Sequence, residues 1–91
     1  MVVKTPIKDG RNLGELTASE LESIGYSSLE DLISVGWEEV FEKWTAHYPE
    51  RVNLNAVTAL IGAIEDIDWR EVPEGLKADA REFIKDMKGR L

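Results

Sequence analysis

A chain of 91 residues with 43% hydrophobic and 32% charged residues has the length for one compact domain and the apolar content to build its core. It contains no cysteine, which excludes disulfide bonds, thiol nucleophiles and thiolate metal ligands. The formal net charge is −7, and the longest stretch without charged residues, 52–64, is shorter than the roughly 20 apolar residues that a membrane-spanning helix needs.

The chain begins with a short N-terminal arm, residues 1–11, and we assign residues 12–91 to a single domain. Residues 1–6 lack the long apolar run and the small-residue cleavage site of a secretory signal peptide. Together with the absence of cysteine, this start predicts a cytoplasmic protein.

The first helix is predicted from a start signal and a stop signal. The start combines an N-cap, its capping-box partner and a hydrophobic staple: Thr17, Glu20, and Leu16 with Leu21. Gly25 lies where a left-handed residue would end the helix, and Tyr26 is the apolar residue expected to fold back over its last turn.

The second and third helices follow directly. Ser28, with Asp31 three residues later, opens the second helix, and Gly36 closes it. Its expected apolar face consists of Leu29, Leu32 and Ile33. The third helix carries five large side chains on one stripe: Trp37, Val40, Phe41, Trp44 and Tyr48. Pro49 ends that helix.

The fourth helix is apolar nearly all round, which predicts the buried centre of the domain. Asn53 or Asn55 caps it, and its apolar residues are Leu54, Val57, Leu60, Ile61 and Ile64, with Ala56, Ala59 and Ala63 between them. Pro73 suits the first turn of a fifth helix, whose apolar face is Leu76, Ala80, Phe83, Ile84 and Met87. No stretch alternates like a strand, so we predict an all-α, compact five-helix orthogonal bundle.

Two segments of the chain carry a family resemblance. The first contains Asn12-Leu13-Gly14, Leu21, Ile24-Gly25-Tyr26, Leu29 and Leu32. The second contains Asn53-Leu54-Asn55, Ala59-Leu60, Gly62-Ala63-Ile64 and Asp68-Trp69-Arg70. In this order the segments resemble the C-terminal domain of the TfoX family, over roughly residues 12 to 76.

The resemblance implies a helix-hairpin-helix-like or SAM-like N-terminal part and a role related to bacterial competence regulators. In full-length members this domain follows another one, so we interpret the chain as a stand-alone copy with a use of its own. Glu15 and Ile61 depart from the family, which often has proline at the first position and a polar or acidic residue at the second.

No residue pattern predicts a catalytic, cofactor or metal site. His47 is the only histidine and lies near the end of the third helix, where it suits the helix dipole. Glu65, Asp66 and Asp68 could together hold a divalent ion, but a glycine-broken calcium loop is missing, and Asp68 also fits a helix cap. We therefore expect neither enzymatic activity nor a small-molecule substrate.

Candidate contact residues lie near the second motif and on the last helix. Trp69 and Arg70 suit a protein-interaction hot spot; alternatively, Trp69 plugs the end of the core and Arg70 pairs with a nearby carboxylate. Trp37 and Trp44 are interpreted as core residues. Ile61 is a candidate dimer contact, unless neighbouring helices cover it completely.

Charge is distributed unevenly along the chain. Residues 12–42 contain eight acids and no lysine or arginine, which disfavours DNA binding by a hairpin-like turn. The last helix, which includes Lys85 and Lys88, is more basic. We predict a protein-interaction or dimerisation module, binding a protein partner or a second copy. The alternative is a regulator that contacts nucleic acid through the basic last helix.

Overall fold

The helix signals of the sequence become five α-helices in a computed structural model that describes residues 4–89. These are α1 (Glu15–Ser23), α2 (Leu29–Val35), α3 (Trp37–His47), α4 (Leu54–Glu65) and α5 (Glu74–Gly89). Of three single-turn 3-10 helices in this range, Ile7–Asp9 precedes α1, Pro49–Arg51 lies between α3 and α4, and Trp69–Glu71 lies between α4 and α5. No strand occurs between residues 4 and 89, so the all-α prediction is confirmed.

Helix α4 forms the centre of the core, as its apolar composition predicts. Val57, Leu60, Ile61 and Ala63 are each at most 1% exposed. Helices α2, α3 and α5 and the 3-10 helix Trp69–Glu71 all pack against it. A helix that is apolar on nearly every side is stable only when neighbours cover it all round.

The turn between α1 and α2 follows its sequence signals. Gly25 has a φ of +111°, and the Tyr26 N–H donates to the Leu21 carbonyl at 3.2 Å, which closes a Schellman motif. The Ser28 hydroxyl then accepts a hydrogen bond from the Asp31 N–H at 3.3 Å and caps α2. The likeness of this N-terminal part to a helix-hairpin-helix stays a prediction.

The predicted start of α1 is wrong. The helix begins at Glu15 with Gly14 as its N-cap, so Thr17 lies inside the first turn. Glu20 forms no capping box, because it is 7% exposed and its carboxylate bonds to side chains of other helices. The spacing of Glu20 from Thr17 suits a capping box, but Glu20 instead forms an ion pair with Arg51, which is distant in the sequence.

Two smaller predictions also need correction. Ile33 is 50% exposed, because it follows the buried Leu32 by about 100° around α2 and falls outside the narrow stripe that a short helix buries. Pro73 precedes α5 and does not lie in its first turn: its carbonyl accepts the first helical hydrogen bond, from the Lys77 N–H at 3.0 Å.

The described part of the N-terminal arm is packed into the domain. Ile7 is 2% exposed and belongs to the core. The Thr5 carbonyl accepts from the Leu29 N–H at 2.9 Å, and the Thr5 N–H donates to the Glu30 carboxylate at 2.6 Å. Residues 1–3 of the arm, and Arg90 of the basic C-terminal stretch, lie outside the described residues.

The described helices do not include a membrane span. Between residues 4 and 89, no helix combines the length and the apolar character that crossing a bilayer requires.

Candidate functional site

Asn12 joins the loop before α1 to the chain that follows α4. Its backbone is left-handed, with a φ of 66°, which asparagine tolerates better than most residues. Its side-chain amide donates to the Ile67 carbonyl at 3.0 Å and accepts from the Trp69 N–H at 3.1 Å. One amide therefore bonds two backbone groups of a segment more than fifty residues away.

A close approach at Gly62 allows this junction. A Cβ at Gly62 would lie 2.7 Å from the Ile67 carbonyl oxygen and would collide with the Asn12 amide nitrogen. The chain turns back over Gly62 because Asp66 adopts a left-handed conformation and the Ile67 N–H donates to the Gly62 carbonyl at 2.8 Å. Only glycine leaves room for the returning backbone.

Trp69 lies on this junction with 46% of its surface exposed. A cleft of about 310 Å³ beside it is lined by Asn12, Asn55, Ala59 and Trp69. An adjoining groove of about 350 Å³ shares Asn55 and Ala59 and extends along α4. The exposed Asn55 amide makes no hydrogen bond to any other residue between 4 and 89. We call the residues that line the cleft the Trp69 surface.

Arg70 is held beside this surface by its neighbour Asp68. The Asp68 carboxylate accepts from the Arg70 N–H at 2.9 Å and from the guanidinium at 2.9 and 3.1 Å. The hydrogen bonds from the Arg70 side chain and then from its backbone lower the pKa of Asp68 to about 2. Asp68 therefore caps the 3-10 helix Trp69–Glu71, and its carboxylate is also the nearby one with which Arg70 pairs. Both were among the interpretations of the sequence.

Two of the remaining candidates for chemistry, Asp66 and His47, have structural partners. Asp66 pairs with Arg11 at 3.1 Å, and the exposed His47 ring is 3.1 Å from the Lys43 carbonyl. Among residues 4–89, no three histidine or carboxylate side chains gather as metal ligands. The Asp66–Arg11 ion pair and the His47 hydrogen-bond contact are suited to holding the backbone in place.

A buried polar network was missed by the sequence reasoning. The Arg51 guanidinium contacts the Glu20 carboxylate at 2.6 and 2.9 Å, and the Trp44 indole N–H donates to it at 2.9 Å. Arg51 also lies 5.9 Å from the Trp44 ring centroid. The one available signal was an acidic residue directly beside the buried Leu21, which does not identify the partners.

The comparisons decide the family. The family model of the TfoX C-terminal domain matches residues 3–84 of this chain. This chain belongs to that family. No curated protein matches it at the significance required. A crystal structure of an uncharacterized protein from Listeria monocytogenes, in a triclinic form, is similar with a TM-score of 0.84 and 24% identity. The similarity covers 91% of this chain and 93% of that one and supports the fold alone.

The two segments that carry the TfoX C-terminal resemblance meet at the Trp69 surface. Asn12 comes from the first segment, and Asn55, Gly62 and Trp69 come from the second. Two of these four residues, Asn12 and Gly62, appeared in the sequence analysis only as parts of a motif. Their motif positions were the signal that could have located the junction.

The other predicted contact residues lie elsewhere. Ile61 is 1% exposed, so its interpretation as a dimer contact is corrected: the neighbouring helices cover it, and it cannot reach a partner. Lys85 and Lys88 are exposed on α5 and take no part in the Trp69 surface. Of the predicted contact residues, Trp69 lines the cleft, and Arg70 follows it directly in the chain.

Proposed function

We propose that this TfoX C-terminal domain is a non-enzymatic interaction module that binds a protein partner through the Trp69 surface. The observation that carries the proposal is a half-exposed indole on a backbone fixed by the Asn12 amide. Tryptophan is enriched among residues that dominate binding energy. A contact residue already held in place loses little conformational freedom on binding, which favours affinity.

The dimensions of the cleft support a protein partner over a small substrate. A cleft of about 310 Å³ is at the lower limit of small-molecule sites, and it is shallow enough to leave Trp69 46% exposed. It suits one side chain of a partner, for which the Asn55 amide offers a donor and an acceptor. The adjoining groove along α4 extends the contact area.

The chemistry around the surface supports binding without catalysis. Two carboxylates close to Trp69 in the sequence, those of Asp66 and Asp68, are ion-paired with Arg11 and Arg70. A general acid or base needs a carboxyl group whose pKa is close to the working pH, whereas the pKa of Asp68 is lowered to about 2.

The test begins with the immobilised domain in an extract of the source cell. Captured proteins are identified, purified and measured by calorimetry against the wild type and Trp69→Ala. We expect Trp69→Ala to raise Kd about ten-fold or more, as truncation of a hot spot does. Asn55→Arg, which fills the cleft from an exposed position, should weaken binding similarly.

Ile33→Ala is the matched control, because Ile33 is 50% exposed on α2, away from the cleft. It should change Kd less than about two-fold, since isolated exposed side chains contribute little to affinity. Thermal melts establish that each variant is folded. A captured partner that binds wild type and both cleft variants equally would refute the role of the Trp69 surface.

A further inference from the structure

A second groove lies between the start of α3 and α5. Its floor contains two half-buried aromatic rings, Trp37 and Phe83, whose centroids are 5.4 Å apart in an edge-to-face arrangement. Phe83 in turn packs on the buried Phe41 at 6.2 Å, which fixes the floor to the core. The groove has a volume of about 450 Å³ and shares no lining residue with the Trp69 surface.

Four exposed carboxylates border the aromatic floor: Glu38, Asp79, Glu82 and Asp86. None of them forms an ion pair or a hydrogen bond through its carboxylate with another residue in the described range 4–89. Some other carboxylates of the domain are paired with arginine, as Glu20 is with Arg51 and Asp68 with Arg70. The groove therefore combines uncompensated negative charge with apolar surface.

Helix α5 separates its charges to opposite flanks of its apolar face. At 100° per residue, Asp79, Glu82 and Asp86 cluster on the flank next to Phe83. The basic residues cluster on the flank next to Ile84 and are Lys77, Arg81, Lys85 and Lys88. The cations of α5 thus point away from the groove. The last helix, interpreted from its net charge as basic, has one basic and one acidic side.

We propose that this groove binds a basic, arginine-containing helical segment of a protein partner. Asp79 and Asp86 are seven residues apart, or about 10 Å along α5, with Glu82 between them. These carboxylates are spaced i, i+3 and i+7, so cations at i, i+4 and i+7 of a partner helix face them when that helix runs antiparallel to α5. Arginine suits both parts of the groove, because guanidinium pairs with carboxylates and packs on the faces of aromatic rings.

A second copy of this chain is a poorer occupant than a basic partner. Each copy has a formal net charge of −7, so two copies repel each other, whereas a cationic segment is attracted. The basic flank of α5 could reach the groove of another copy only in a head-to-tail contact between unlike surfaces. Such contacts leave unsatisfied ends unless they close into a ring.

The experiment measures fluorescence anisotropy of two labelled peptides at roughly 150 mM salt. The first is a helix of about 18 residues, long enough to be stable, with arginine at i, i+4 and i+7 beside one leucine. The second has the same composition, with its arginines distributed around the helix. The groove triple combines Asp79→Asn, Glu82→Gln and Asp86→Asn, all at exposed positions of α5.

The control triple removes the same amount of charge elsewhere, with Asp9→Asn, Glu22→Gln and Glu50→Gln. We expect the groove triple to weaken binding of the first peptide about ten-fold and the control triple less than about three-fold. The first peptide should also bind the wild type about ten-fold more tightly than the second.

Three results would overturn the proposal. If both triples weaken binding equally, or both peptides bind equally, only net charge is recognised. If the first peptide does not bind, the groove does not accept a basic helix. If sedimentation shows wild-type oligomers that the groove triple dissociates, the occupant is a second copy. Since the Trp69 surface is unchanged in both triples, none of these results bears on the function proposed for it.

Discussion

At the scale of single residues, Glu20 is the one charged side chain that is buried among residues 4–89. It is 7% exposed and receives hydrogen bonds from Arg51 and Trp44, which belong to two other parts of the chain. A buried carboxylate of this kind is tolerated because its charge is paired and its oxygens are bonded. The network ties α1 to α3 and to the turn before α4.

We predict that Glu20→Gln lowers the free energy of unfolding by about 2 to 3 kcal/mol. The substitution leaves the Arg51 guanidinium without its counter-charge, although its 27% exposed side chain still reaches water and limits the loss. Glu22→Gln, two residues away and exposed, is the matched control and should change stability by less than about 0.5 kcal/mol. Urea denaturation measures both, and equal midpoints would contradict this account of Glu20.

The same pair predicts how stability depends on pH. Hydrogen bonds from Arg51 hold the pKa of Glu20 below its ordinary value of 4.5, so the folded state binds its proton less readily than the unfolded state. The stabilisation is complete above the unfolded pKa and is lost as the pH falls through the folded one. The melting temperature should therefore drop below about pH 4.5, and drop less steeply in Glu20→Gln. Parallel curves for the two proteins would show that Glu20 contributes nothing.

At the scale of elements, α1, α2 and α4 end at or just before residues with a positive φ, a conformation that interrupts a helix. Gly25 and Gly36 have φ values of +111° and +97°, and Asp66 is left-handed at 58°. Asn53 opens α4 by accepting from the Ala56 N–H at 2.8 Å. These helix-ending and helix-capping residues set the lengths of the helices. How closely two elements approach depends instead on side-chain volume, and Gly62 is the clearest example.

Gly62→Ala should destabilise the domain by about 2 kcal/mol, because a methyl group there meets the Ile67 carbonyl, which is backbone and cannot swing aside. Gly75→Ala is its control: it is also a helical glycine, but an added Cβ has nothing within 4 Å. That change should stabilise the domain by about 0.5 to 1 kcal/mol through helix propensity. Thermal denaturation of the two variants measures the contrast, and a Gly62→Ala protein as stable as Gly75→Ala would disprove the tight junction.

At the scale of the whole molecule, part of the domain's negative charge lies in contacts within the domain. Of the eight acids between residues 12 and 42, Glu20 pairs with Arg51 and Asp31 contacts Lys4 at 3.8 Å. Glu30 accepts the Thr5 N–H, which lowers its pKa. The net charge of −7 nevertheless leaves an acidic surface, and the basic flank of α5 is one narrow strip beside it.

This distribution predicts that the domain does not bind duplex DNA. Non-specific affinity comes mainly from lysine and arginine displacing counterions, which a narrow strip on an acidic protein supplies weakly. We expect no mobility shift of a mixed-sequence duplex of about 30 base pairs at about 10 μM protein and roughly 150 mM salt. Salt-sensitive binding that is lost in Lys85→Glu with Lys88→Glu would instead establish the nucleic-acid alternative.

The sequence by itself determined what depends on residues within a few positions of each other. The left-handed Gly25 followed by Tyr26, the Ser28 cap and the apolar stripe of α3 were all predictable, because their partners lie within about one helical turn or follow its period. For α4 the sequence offered Asn53 or Asn55 as the cap, and the structure has Asn53. The family resemblance came from the same kind of local pattern. It identified Asn12 and Gly62 as motif positions without showing that they meet.

The tertiary structure alone decided which distant residues share a surface. Glu20 is read locally as a cap, yet Arg51, 31 positions away, gives it a better partner inside the core. Asn12 reaches Trp69 across 57 positions, and Trp37 meets Phe83 only because α3 and α5 both pack around the central helix. Such contacts depend on how whole helices pack, because burying apolar faces sets the helix positions and polar side chains then bond to whatever is within reach.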